Sequence, residues 1–165
     1  MPTWEYQRRF YYRPSELAHD LRALLRERSG IKALKSGAPI DRAFKERLML
    51  TVTEANRCRY CAYAHARIAL AAGVTRADVD ALAGGDFRGS PPEQIPALLY
   101  AQHWAETDGR PDPEARQRVL ETYGQAKTEA IELSMRMIRV GNLTGNTWDH
   151  LIYRVSFGHW GNAKH

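Results

Sequence analysis

The chain has two cysteines, and they stand three residues apart in Cys58-Arg59-Tyr60-Cys61-Ala62-Tyr63-Ala64-His65. A pair this close cannot staple distant parts of a fold. In a reducing compartment such a pair more often serves redox or metal chemistry than structural bridging. With Cys58 at the start of a helix, Cys61 at i+3 and His65 at i+7 share one face. The partial positive charge of a helix N-terminus favours the thiolate, which is the reactive species, and Arg57 and Arg59 push the same way. His65 lies one helical turn after Cys61 and can take a proton from that thiol directly or through one water. The spacing favours Cys61 as the attacking thiol and Cys58 as the resolving one.

A histidine base needs an orienting group, and two acids lie upstream, Glu46 and Glu54. If the chain turns at Asn56-Arg57 and the flanking helices run antiparallel, Glu46 and His65 stand at similar heights on facing helices, at ~1.5 Å rise per residue. Glu54 then falls near the turn, closer to Cys58. Thioredoxin-like proteins attack with the first cysteine instead, but their motif needs a βαβ setting, and no strand pattern occurs here. Zinc binding is a competing reading. A structural zinc site usually takes four protein ligands, and only Cys58, Cys61 and His65 are obvious ones. An inert buried thiol pair is another, and a helical oligomer that binds a small ligand without turnover is a third. Tyr60, between the cysteines, is a possible hydrogen-bond donor, and Tyr63 reads as a packing residue. His19, His103, His150, His159 and His165 have no comparable company and read as structural or surface residues.

The elements that must position this site read as helices from end to end. The pattern predicts an all-α fold of about seven to eight helices, because apolar residues recur at helical spacing and helix punctuation separates them. Ser15 is placed to cap a first helix carrying Leu17, Leu21, Leu24 and Leu25, with Gly30 as its stop. Asp41 caps the next, with Phe44, Leu48, Val52 and Ala55 on one face. A third starts near Cys58 and ends at Gly73. Thr75 and Asp78 form a capping pair for a short helix ending at Gly84-Gly85. Ser90-Pro91-Pro92-Glu93 reads as a strong helix start. Asp112-Pro113 opens a further helix that Gly124 closes. Another runs from Thr128 to about Val140, and after a Gly141-Asn142 turn the last runs from Thr147 to Phe157. Residues 15–165 form a single domain in this reading. Residues 1–14 are an aromatic and basic arm, in which Trp4, Tyr6, Phe10, Tyr11 and Tyr12 alternate with charge. The arm packs either on a neighbouring subunit or back on its own core.

Bulk properties narrow the setting. The 165 residues are 44% hydrophobic and 26% charged, which suits a globular chain. The formal net charge is +5, but Arg and Lys are dispersed among Asp and Glu, so the clustered footprint of a nucleic-acid binder is missing. No apolar run approaches the ~18–20 residues of a membrane span. The first residues lack the apolar core of a signal peptide, so a cytoplasmic location is expected.

The chain resembles the carboxymuconolactone decarboxylase superfamily, specifically its alkylhydroperoxidase D-like (AhpD-like) branch. That branch carries Glu, eleven residues, then Cys-x-x-Cys-x-x-x-His, and Glu46, Cys58, Cys61 and His65 stand at those spacings. The resemblance covers residues 39–84 best. Gly141 to Thr147 also resembles a turn in family C-terminal regions. The resemblance implies an all-α fold assembling as homotrimers or homohexamers, with an antioxidant activity that reduces hydroperoxides or exchanges disulfides. It implies Cys61 as attacking thiol, Cys58 as its partner, and Glu46 with His65 as a proton relay. Some members have His between the cysteines, where this chain has Tyr60. The decarboxylase branch lacks the cysteine pair, which points away from lactone chemistry. A thiol reductant is required, and in the family a lipoyl-bearing protein is one source. No cofactor and no metal are expected.

Overall fold

A computed structural model of the chain describes residues 6–161. Trp4 and His165 lie outside the described residues. Among the described residues there are seven helices and no strand: α1 (Pro14–Arg26), α2 (Arg28–Lys35), α3 (Arg42–Asn56), α4 (Arg59–Ala71), α5 (Arg76–Ala83), α6 (Ile95–Glu106) and α7 (Pro113–Val155). Gly124, at φ 74° and ψ 169°, breaks α7 into helical stretches before and after it. Among the described residues no helix is long and apolar enough to cross a membrane.

Helix α3 is the centre of the fold and packs against α4, α5, α6 and α7. Its Leu48 and Val52 are fully buried, as are Leu82 of α5, Leu98 of α6 and Ile131 and Met135 of α7. Asp41 starts the helix by accepting a hydrogen bond from the Phe44 N–H at 2.8 Å. The helix ends at Arg57, which takes the left-handed conformation (φ 55°, ψ 42°) that reverses the chain into α4. The reversal is what lays α4 back along α3.

Polar residues of α3 are buried too, and all but Thr51 find a partner on a neighbouring element. Arg47 donates from Nε to Asp78 Oδ2 at 2.7 Å and from Nη1 to Gln94 Oε1 at 3.3 Å. Ser90 Oγ donates to the other Asp78 oxygen at 2.8 Å. This cluster fixes α5 and the start of α6 against α3. It also corrects the expected role of Ser90. Its hydroxyl is taken by a buried carboxylate, and the α-helix begins only at Ile95 after a turn through residues 92–94. Thr75 does cap α5, accepting from the Asp78 N–H at 3.1 Å.

Two glycine expectations are also corrected. Gly30 does not stop the first helix. Pro14 opens α1, which ends at Arg26, and Gly30 lies inside α2. A Cβ there would stand 2.8 Å from Leu133 Cδ2, so glycine is kept for the approach of α2 to α7. Gly141-Asn142 is not a turn: α7 runs unbroken from 125 to 155.

Residues 6–13 lie along α7 of the same chain. Tyr6 Oη donates to the Asn146 carbonyl at 2.7 Å, and the Tyr11 N–H donates to Thr147 Oγ1 at 3.0 Å. Phe10 stacks on His150 with ring centroids 3.9 Å apart.

The buried Arg47–Asp78 pair and the Asp41 cap differ in kind, and their removal should differ in cost. Asp78→Ala strands a buried guanidinium and should lower stability by about 3 kcal/mol or more. Asp41→Ala loses one end-of-helix hydrogen bond and should cost about 1 kcal/mol. Urea unfolding of the two variants gives the comparison, and equal losses would contradict it.

Candidate active site

Cys58 closes the chain reversal and starts α4. Its backbone is extended, and its Sγ accepts from the Cys61 N–H at 3.4 Å, so the thiol itself caps the helix. The side chain is fully buried, whereas Cys61, one turn on, is partly exposed. Both thiols are free and their sulfurs lie 2.6 Å apart. The hydrogen bond from Cys61 holds the Cys58 thiol down at about 7, against burial, which pushes it up. Backbone N–H groups of Cys61 and Tyr60 and the Asn142 side chain pull it further down. The same hydrogen bond raises Cys61 far above the ordinary thiol range, and burial adds to the rise. The pair thus favours charge at Cys58 over charge at Cys61.

His65 and Glu46 meet across the α3–α4 hairpin, with His65 Nδ1 2.6 Å from Glu46 Oε2. Glu46 is almost wholly buried, and Lys45 Nζ lies 3.5 Å from its other oxygen. Glu54 is exposed on α3 near the reversal. The remaining described histidines stay away: His103 pairs with Asp112, His150 stacks on Phe10, and His19 and His159 are exposed. Among the described residues no group of three or more His, Cys, Asp and Glu is placed to hold a metal ion.

The back wall of the site is α7. A Cβ on Gly141 would lie 3.9 Å from Cys61 Sγ, and one on Gly145 would lie 3.0 Å from Cys58 Sγ and 3.4 Å from Tyr60 Cδ2. Between them, Asn142 is fully buried and donates to Thr53 Oγ1 at 3.0 Å. One turn further, Asn146 donates to the Asn56 carbonyl at 2.8 Å. Asp149 then anchors Tyr60. It accepts from Tyr60 Oη, Arg59 Nη2 and Arg8 Nη1, each at 2.7 Å. Burial pushes its carboxyl up, but the hydrogen bonds from Tyr60, Arg59 and Arg8 win and hold it below the usual carboxylate range.

The model of the carboxymuconolactone decarboxylase family matches residues 21–107. The chain belongs to the carboxymuconolactone decarboxylase family. The matched stretch holds Glu46, Cys58, Cys61 and His65, and it ends before α7 begins. No match was found among curated proteins or among solved structures.

Of the residues on α7 that wall the site, sequence reasoning placed Gly141, Asn142, Gly145 and Asn146 in a turn, and it missed Asp149 together with its partner Arg8 on the arm. Their signal was present. Gly-Asn recurs four residues on as Gly-Asn, and Asp149 continues the same helical stripe. Two glycines inside a helix cost about 1 kcal/mol each relative to alanine, and contact with the thiols is what they permit.

The two glycines should respond differently to a methyl group. Gly141→Ala meets Cys61 Sγ only at ordinary contact distance and should leave the thiol pair alone while gaining helix stability of about 0.5–1 kcal/mol. Gly145→Ala crowds Cys58 and Tyr60 and should weaken closure of a Cys58–Cys61 disulfide. Equilibration of each variant with a thiol–disulfide buffer, read by mass spectrometry, compares them. A Gly145→Ala protein that closes like Gly141→Ala would refute the crowding.

Proposed function

We propose that the protein is a thiol-dependent oxidoreductase of the AhpD-like branch, reducing hydroperoxides or exchanging disulfides through Cys58 and Cys61. The observation that carries the reading is the pair of free sulfurs 2.6 Å apart on the same hairpin as a 2.6 Å Glu46–His65 contact. Cys61 is the accessible sulfur and takes the attack. With Nδ1 tied to Glu46, His65 has its other ring nitrogen for proton transfer. Hydrogen bonding to Cys61 leaves Cys58 the lower proton affinity. Passing the shared proton to Cys58 gives Cys61 the thiolate at the mouth of the site.

The cycle balances without a metal or bound cofactor. The Cys61 thiolate attacks the outer oxygen of a hydroperoxide; an S–O bond forms, the O–O bond breaks, and the alkoxide leaves with a proton from His65. Cys58 then gives its proton to His65, and its thiolate attacks the Cys61 sulfenic acid; the S–S bond forms, the S–O bond breaks, and hydroxide leaves as water with that proton. Two thiols of an external reductant, a lipoyl protein being one candidate, restore the pair by exchange. Such cycling fits a reducing compartment such as the cytoplasm.

His65→Ala should slow reaction of the reduced protein with hydroperoxide about 100-fold or more, and Glu46→Gln should act in the same direction and more weakly. Stopped-flow oxidation followed by mass spectrometry tests this, with loss of two hydrogens from the peptide holding both cysteines as the expected product. Wild-type rates in His65→Ala, or sulfinate on one cysteine with no disulfide, would sink the mechanism.

The same reading includes a homo-oligomer, trimeric or hexameric. Trp148, Leu151 and Val155 are exposed at helical spacing on α7 beyond the site, and Tyr60 and Tyr63 are exposed on α4 beside it. A second copy over this face would cover apolar surface and frame the thiols. Light scattering at micromolar concentration should find three or six copies, and a monomer would rule the assembly out.

A further inference from the structure

We infer that Asn142 is a buried donor to the thiol pair, presenting one amide N–H to the sulfurs from the far side of the site. The inference rests on the thiol-pair reading above and assigns a residue that the CxxC motif does not contain.

The orientation of the amide follows from its partners. Asn142 is fully buried. Its oxygen accepts from Asn56 Nδ2 at 3.2 Å, so the nitrogen points the other way. That nitrogen carries two hydrogens. One goes to Thr53 Oγ1 at 3.0 Å. The other has the sulfurs before it, because Gly141 and Gly145 on either side bring this part of α7 against Cys61 and Cys58. Asn142 so placed favours the thiolate at both sulfurs. A neutral donor suits this place. A buried cation would hold the thiolate as an ion pair and blunt its attack, whereas a carboxylate would oppose its formation. The amide serves whichever sulfur carries the charge, so it does not fix the proton on one of them.

Other charged and titratable groups stand on the elements around the pair. They are Tyr6 and Arg8 from the arm, Glu46, Glu54 and Arg57 at α3 and its end, Arg59, Tyr60 and His65 on α4, and Asp149 on α7. Substitution of Asn142 by neutral residues leaves all of them in place.

The test reads proton affinity on the reduced protein and needs no oxidant turnover. Iodoacetamide alkylation is followed from pH 5.5 to 9.5 for wild type, Asn142→Ala, Asn142→Ser and Asn142→Asp, with circular dichroism to confirm the fold. Wild type should titrate near the Cys58 value of about 7. Asn142→Ala should move the midpoint up by about one pH unit, the size expected for losing one hydrogen bond to a charged group. Asn142→Ser keeps a small donor and should recover part of the shift, and Asn142→Asp should move the midpoint furthest. At the top of the pH range, where the thiolate has formed, Asn142→Ala should be alkylated at the wild-type rate. Midpoints that match wild type would overturn the inference while leaving the thiol-pair reading intact. So would an alkylation rate lowered equally at every pH with no shift, which marks a packing role. A wild-type midpoint at the ordinary thiol value of about 8.5 would remove the reading and the inference together.

Discussion

A helix buried on most of its surface has to satisfy its polar side chains inside the protein, and α3 carries Glu46, Arg47, Thr51, Thr53 and Asn56 in that position. An unpaired buried polar group costs on the order of 1–3 kcal/mol, and a charged one more. Which elements surround α3 is therefore decided partly by what they bring. Asp78 and Gln94 answer Arg47, and so α5 and the start of α6 are fixed. Asn142 answers Thr53 and Asn56, and so α7 is set at a given height. His65 answers Glu46 and holds the α4 register. Thr51 turns back to its own helix, donating to the Arg47 carbonyl at 2.9 Å. The same requirement that orders the core delivers the thiols, the histidine and the amide to one place.

The thiol pair divides two properties that a single reactive cysteine would combine. Charge is favoured on Cys58, which lies at the helix end with backbone N–H groups around it. Access is at Cys61. Burial of Cys58 leaves Cys61 as the sulfur of the pair that is open to solvent.

Much of this was legible in the sequence because it depends on short spacings. Cys58, Cys61 and His65 need only helical periodicity to share a face. Glu46 joins them once the Asn56-Arg57 reversal is granted. The caps at Asp41 and Thr75 were likewise local matters. What failed were places where a distant partner overrides local preference. Ser90 was read as a cap because Pro91, Pro92 and Glu93 follow it, but a buried carboxylate twelve residues earlier takes its hydroxyl. Gly30 and Gly141 were read as breaks because glycine weakens helices, yet both are helical where another element comes close. The wall of the site was missed for the same reason: glycine signals close approach as well as a turn, and only the neighbour tells which.

The clamp on Asp149 joins residues far apart in synthesis. Arg8 and Asp149 are separated by 141 positions, and Arg59 reaches the same carboxylate from between them. As the chain emerges from the ribosome, both cysteines are made long before the helix that walls them in. For that interval the nascent hairpin holds reactive sulfur without its glycine backing, its amide or its anchor. Contacts of such long sequence separation form late. The surroundings of the pair are therefore complete only when nearly the whole polypeptide has been translated, and a truncated product would carry the thiols without the wall that α7 gives them.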